Sequence, residues 1–383
     1  MSNRSNGPVI TGTVNIYYIW YGNWDPIDQH APEKTVLTNF ASAIGGSPYF
    51  MINTTYPGGN GPVSGQVAYA GSSSTGQRAP YGTNLSIGGI QQVVSDAVHT
   101  GGLPLDPNGV YFVLTSAEIG QTNGNGEFCG QNCNGYCGWH DRMSLGGTDI
   151  KYSFVGNPNH CPTVCIPNGG NWTSPNGIVA GDIMATIVAH ELEESTTDPD
   201  IGSWTDGYGW ENADKCAWQW GNTYTAPNGA MANMRLGPYD YLIQQNWVNH
   251  GAGYCALQLP APPRCSVYPG CTTEGVAVDC FGETGPGDMV FERQNGDGSI
   301  TQFATVPAAI ATTQYLVYET DHPTQATGSV SYRVCTSDTG GRYCSPFTPV
   351  SMPLDACPPP HHCPRGTKDC GDGVCIPLKQ YCQ

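Results

Sequence analysis

The stretch Val188-Ala-His-Glu-Leu-Glu-Glu-Ser-Thr-Thr-Asp-Pro-Asp200 gathers side chains well suited to chemistry. It begins like a His-Glu-x-x-His helix, in which two histidines one turn apart hold a zinc ion. Here, however, Glu194 stands where the second histidine would be. On a helix over Ala180–Thr197, Ile183 and Ile187 define a stripe whose next positions are His190 and Glu194, because residues four apart share a face. Asp198-Pro199 stops that helix, since proline cannot continue it. A carboxylate on a core-facing stripe needs a counter-charge, hydrogen bonds or a metal. Imidazole and carboxylate one turn apart are competent ligands for one divalent ion, zinc being the first candidate. Glu191 then lies beside the ion, where a general base activates water. A glutamate in place of a neutral imidazole lowers the positive charge at the ion, which weakens acidification of bound water and favours harder ions.

A tetrahedral site needs a further protein ligand. Glu211 and Asp214, in Gly209–Trp218, follow Glu194 at a distance similar to that in the thermolysin-like zincins. There a later glutamate is the third ligand and an aspartate orients the first histidine. The expected set is therefore His190, Glu194 and Glu211 on the metal, Asp214 behind it, and His140 as the rival third ligand. Taken alone, His-Glu-Leu-Glu-Glu looks like a solvated acidic helix end; the stripe and the Glu211/Asp214 pair favour the metal.

Five elements must position these groups. Val14–Trp24 and Asn108–Ser116 read as buried strands, and Ile150–Asn157 as a shorter one. Glu33–Ile44 and Ile87–Gly101 have helical spacing. Strands alternating with helices give an α/β (α+β), zincin-like domain over residues 7–258. Cys129–His140 reads as a cysteine-glycine loop. The proline-rich Leu259–Cys265 is a linker, and residues 265–352 hold short strands with a hairpin signal at Asn295-Gly-Asp-Gly298, a small fibronectin- or immunoglobulin-like β-sandwich. A cysteine-rich tail occupies 357–383.

Composition narrows the partners. A net charge of −17 argues against nucleic acid and anionic membranes, and no apolar run is long enough to span a bilayer. Seventeen cysteines at irregular spacings among Gly, Asn and Pro read as disulfide staples of a secreted protein, one cysteine being left over for a free thiol or an interchain bridge. No apolar leader follows Met1, so a processed or missing leader is expected. Sequons at Asn3, Asn53, Asn84 and Asn171 fit a glycoprotein.

Val14–Trp24, Asn108–Ser116, "CGWH", "YSFVGN", the "SPNG" and "APNG" turns, "IVAHELEESTTDP" and "ENADKC" occur in an order that resembles the EXORDIUM / phosphate-induced protein family over residues 8–256. The resemblance implies that His-Glu-x-x-Glu is the family's normal pattern, that His140 matches its Cys-Gly-aromatic-His motif, and that Asp198 terminates a helix. It also implies an extracellular or cell-wall protein. Cys363–Cys382, with Cys375-Ile-Pro377, is similar to the first half of an LDL-receptor class A module, without the acidic calcium cage. His361-His362 reads as a solvated pair.

Tyr17, Tyr18, Trp20, Tyr21 and Trp24 read chiefly as core, whereas Trp204, Trp210, Trp218 and Trp220 are candidates for a binding wall. Two functions follow. One is an extracellular structural or assembly protein, self-associating or held to matrix or cell-wall components, with a metal-bearing His-Glu-x-x-Glu domain. The other is a secreted metal-dependent peptidase with Glu191 as general base.

Overall fold

The β-branched and aromatic run of the N-terminal region forms β1 (Val14–Tyr21), an interior strand of a five-stranded sheet. It is followed by α1 (Ala31–Ala43), β2 (Val67–Ser73), α2 (Ile87–His99), β3 (Gly109–Thr115), β4 (Gly138–Leu145), β5 (Thr148–Val155) and α3 (Val179–Thr197). The computed structural model describes residues 1–383 except 25–29, 124–125, 131–134, 250–252, 260–263, 282–287, 308–315, 325–326, 339–340, 357–366, 370–374 and 378–383. By internal contacts the chain divides into units 1–261 and 262–383, a boundary inside Leu259–Cys265.

The sheet order is β2-β1-β3-β5-β4, parallel except for the edge strand β4. Successive residues of a strand point to opposite faces. Thus Ile16, Tyr18 and Trp20 join the core containing α1 and α3, and Tyr17, Ile19 and Tyr21 join the core containing α2. Each such side chain, fully buried, contributes about 1.5–3 kcal/mol of transfer free energy. The aromatic run is core, as its composition suggests.

The cysteine-glycine loop expected over Cys129–His140 gives way at Gly138 to strand β4, which runs on to Leu145. Its turn signal is Gly146-Gly147, at φ +57° and +84°, joining Leu145 to its partner Thr148. Two residues of positive φ form the tight hairpin turn whose twist suits antiparallel strands. The register sets His140 opposite Ser153.

Helix α3 is buried on nearly its whole circumference, including Met184, Val188, Ala189 and Leu192. The single apolar stripe read from sequence is therefore only part of its buried surface, and Glu191 and Glu193 are buried beside Glu194. In its first turn, Asp182 accepts hydrogen bonds from the Ser174 hydroxyl and from the Asn176 backbone and side-chain N–H groups. At the other end, the Asp198 carboxylate accepts the Gly202 and Ser203 amides at 2.6 and 2.5 Å, closing the turn after the helix.

In the second unit, β6 (Arg264–Pro269), β7 (Val276–Phe281) and β10 (Leu316–Asp321) make one antiparallel sheet. A second is built from β8 (Met289–Gln294), β9 (Ile300–Val306), β11 (Gly328–Asp338), β12 (Gly341–Cys344) and β13 (Thr348–Met352). Val276, Val278 and Val317 of the first share one core with Phe291, Tyr332 and Val334 of the second. Cys265–Cys280 and Cys335–Cys344 each bridge directly paired strand positions. Of the tail, Thr367–Asp369 pairs with Cys375–Pro377. His361, His362 and most of the class A-like cysteine pattern lie outside the described residues.

Candidate metal centre

Three elements bring the predicted groups together. Helix α3 supplies His190, Glu191 and Glu194; β4 supplies His140; the segment ending in the 3-10 turn Asp214–Cys216 supplies Glu211 and Asp214. The expected trio is divided between two overlapping groups that share Glu194: His140, Glu194 and Glu211, and His190, Glu194 and Asp214. His140 Nε2 lies 3.1 and 3.2 Å from the two oxygens of Glu211 and 3.8 Å from Glu194 Oε2. His190 Nε2 lies 3.0 Å from Glu194 Oε1 and 3.5 Å from Asp214 Oδ1. The two oxygens of Glu194 thus face different histidines.

The rival ligand His140 belongs in the cluster alongside the predicted residues. Asp214 corrects the sequence reading. It meets the same Nε2 that Glu194 meets, so it stands among the candidate ligands and not behind His190. The group at Nδ1 is Gln244, whose Nε2 lies 2.7 Å away while also donating to Ala213 O at 3.3 Å. Nothing in the sequence around Gln244 marks it, because its role comes from a chain return of more than fifty residues.

Local structure fixes each group. Disulfide Cys137–Cys165 holds the chain three residues before His140, and Cys216–Cys255 holds it two residues after Asp214. The Asp214 amide donates to Glu194 Oε1 at 3.1 Å, and the Glu211 amide to Asp214 Oδ2 at 3.2 Å. Gly138, in the Cys-Gly-Trp-His run, makes room for Glu191: a Cβ there would stand 2.8 Å from Glu191 Oε1 and 2.5 Å from Ile187 Cγ2. Glu191 Oε2 is buried with no hydrogen-bond partner.

The electrostatics are lopsided. Side chains of His140 and Glu194 are 4–5% exposed, and those of His190, Glu211 and Asp214 no more than 29%. Burial raises the Glu191 and Glu211 carboxyls above the usual range, only partly opposed by the histidines. Burial disfavours both imidazolium ions, but the surrounding carboxylates outweigh it and raise His140 and His190. Among the described residues no lysine or arginine forms an ion pair with Glu191, Glu194, Glu211 or Asp214.

The candidate glycosylation sites separate. Asn84 and Asn171 are exposed. Asn53 is 0% exposed, its Oδ1 accepting from Asn212 and Asn246 in the interior beneath α3. That burial overturns the expectation of a glycan on Asn53 in the folded chain. Asn3, half-buried, bonds with both its oxygen and its nitrogen to Gly7. Trp204 is also corrected: it is buried, donates to Pro57 O, and forms no exposed wall.

Comparison with known proteins places these motifs in one family. A model of the phosphate-induced protein 1 conserved region matches residues 3–236. Protein EXORDIUM-like 3 of Arabidopsis thaliana is 30% identical over 288 residues, covering 65% of this chain and 80% of that protein. Protein EXORDIUM-like 5 of the same plant is 30% identical over 226 residues, covering 52% of this chain and 58% of the relative.

Proposed function

This chain belongs to the phosphate-induced protein 1 family, and we propose that it is an extracellular structural or assembly protein whose N-terminal unit carries one divalent metal ion. The observation that carries the metal is the charge balance: four neighbouring carboxylates, at Glu191, Glu194, Glu211 and Asp214, face two histidines and no lysine or arginine among the described residues. Buried carboxylates require compensation. A dication supplies it without burying further cationic side chains.

The donor set fits such an ion. Two imidazoles with carboxylates suit zinc, and the share of oxygen donors leaves manganese open. Ligand atoms about 2.0–2.2 Å from a tetrahedral ion stand roughly 3.3–3.6 Å from one another, and the nitrogen–oxygen separations here run from 3.0 to 3.8 Å. The five donors fall into two groups of three that share Glu194, and three protein ligands are what one ion takes when a water fills its remaining position. Zincin-like architecture is part of the same proposal, supported by the helix-borne His190-Glu191-x-x-Glu194 pattern and the later Glu211.

Five disulfides among the described residues fit an oxidising, extracellular setting. Matrix or cell-wall components and other copies of the chain are the proposed partners. One observation favours a peptidase as the second reading: the buried, unpartnered Glu191 Oε2 is available to accept a proton.

Elemental mass spectrometry of natively purified protein tests the metal. Near-equimolar metal, lost in His190→Ala and in His140→Ala, is expected; folded, metal-free parent protein sinks the proposal. Glu191→Gln separates the two readings. Retained metal and unchanged behaviour fit the structural site, whereas retained metal with loss of a measured peptidase activity establishes the enzyme.

A further inference from the structure

The segment bearing Glu211 and Asp214 also carries aromatic rings that the fold leaves outside its core. Tyr208 is 92% exposed, Trp210 57%, and Trp218 and Tyr224 41% each. Half-buried Trp220 meets Trp218 edge to face, with ring centroids 5.9 Å apart. The backbone beneath them is fastened at several points. Asp206 Oδ1 accepts the amides of Tyr208 and Trp210 at 2.8 and 3.1 Å, and Lys215 Nζ holds Asp206 Oδ2 at 3.0 Å. Gln245 N–H donates to Gln219 O at 2.7 Å, and Asn233 Nδ2 to Trp220 O at 2.8 Å.

Exposed aromatic surface on a fastened backbone forgoes the free energy of burial. Trp218 carries an additional cost, since its φ is +60°, where a bulky side chain is strained. Glycine there would remove both costs. Rigid rings held outward by a fixed backbone are preorganised for a ligand, which then orders few bonds on binding.

The intervening residues indicate what that ligand is. Exposed Gln219, Asn222, Thr223 and Thr225 supply neutral amides and hydroxyls along the same segment. The segment's one lysine, Lys215, is engaged by Asp206 and stands 4.4 Å from the Trp247 ring centroid. A pyranose unit presents a C–H face that stacks on an aromatic ring and hydroxyls that pair with amides. The net charge of −17 disfavours a polyanion or an anionic membrane. We propose that Tyr208, Trp210, Trp218 and Trp220 form a binding platform for an extended neutral polysaccharide. The platform works independently of any ion at the neighbouring histidines.

Affinity electrophoresis of the full chain tests this, in gels containing hydroxyethyl cellulose, galactomannan or polygalacturonate, with and without chelator. Retardation by at least one neutral polymer is expected, unchanged by chelator, and weakened about tenfold by Trp218→Gly or Trp210→Ala. Tyr318→Ala, which removes a 66% exposed ring from the second unit, should leave retardation unchanged. Trp218→Gly should melt at or above the parent temperature, because glycine suits the positive φ. Any of four results overturns the platform: no retardation by either neutral polymer, retardation by polygalacturonate alone, full retardation in both tryptophan variants, or cosedimentation with phosphatidylcholine vesicles in place of glycan binding. Loss of retardation with chelator overturns its independence from the metal. A Trp218→Gly protein that melts well below the parent assigns the ring to packing and also overturns the proposal.

Discussion

At the residue scale, the candidate centre depends on two positions that carry no ligand atom. Gln244 is the polar group set against His190 Nδ1. Its amide nitrogen faces the ring, and a metal at Nε2 would need the amide turned so that its oxygen accepts from Nδ1–H, the contact that fixes ring orientation and tautomer. Gln244→Leu should therefore weaken metal affinity by about 10–100-fold while the protein stays folded, read by competition with a calibrated chelator. Gly138 leaves the space that the Glu191 carboxyl fills. Gly138→Ala should cost about 1–3 kcal/mol in chemical denaturation, as other small-to-large changes in a packed interior do. His190, Glu194, Glu211 and His140 were legible because residue type and spacing mark them. Gln244 was not, because a glutamine becomes informative only when the chain returns it to an imidazole. Asp214 was legible as a participant, but whether it faced Nδ1 or Nε2 was settled by the turn that holds it.

At the scale of elements, long segments with strong patterns were readable, and those relying on turn chemistry were less so. Helix α3 was anticipated within a residue because Asp198-Pro199 ends it. Strand β4 is not legible from pattern: the consecutive polar residues His140-Asp141-Arg142 break any apolar alternation in Gly138–Leu145, and only the Gly146-Gly147 turn identifies a hairpin. That strand places Arg142 against Asp149 at 3.1 Å, and Lys151 joins the same carboxylate at 3.0 Å while reaching Asp200 at 2.7 Å. Partial burial tends to raise the Asp149 carboxyl, but the Lys151 and Arg142 cations outweigh it and hold it below the ordinary 3.8. With the folded value the lower one, this stabilisation is present above the unfolded pKa and lost as pH falls through the folded pKa. Asp149→Asn should flatten the acid side of the melting-temperature profile below about pH 4. At neutral pH it should cost no more than about 1 kcal/mol, since the pair is solvent-screened.

On the scale of the whole molecule, disulfides take a share of the work that a larger core would do. The spacing of the cysteines suggested staples, but connectivity follows from three-dimensional proximity and cannot be read from spacing. Cys216–Cys255 closes a loop of 39 residues around the segment that bears Trp218, Trp220 and Tyr224. Replacing both cysteines by serine should lower stability by about 4 kcal/mol on chain-entropy grounds, measured by denaturant titration. The same variant should lose metal more readily, because the staple begins two residues after Asp214.

The interior position of Asn53 has a consequence for how the chain is made. In a secretory pathway that transfers oligosaccharide to Asn-x-Thr as the polypeptide emerges, folding and modification compete for this one side chain. A molecule modified at Asn53 before its first unit closes cannot bury that side chain beside Asn212 and Asn246, and is diverted to quality control. Yield in such a host therefore reports the outcome of a race, and a host without the transferase removes the contest.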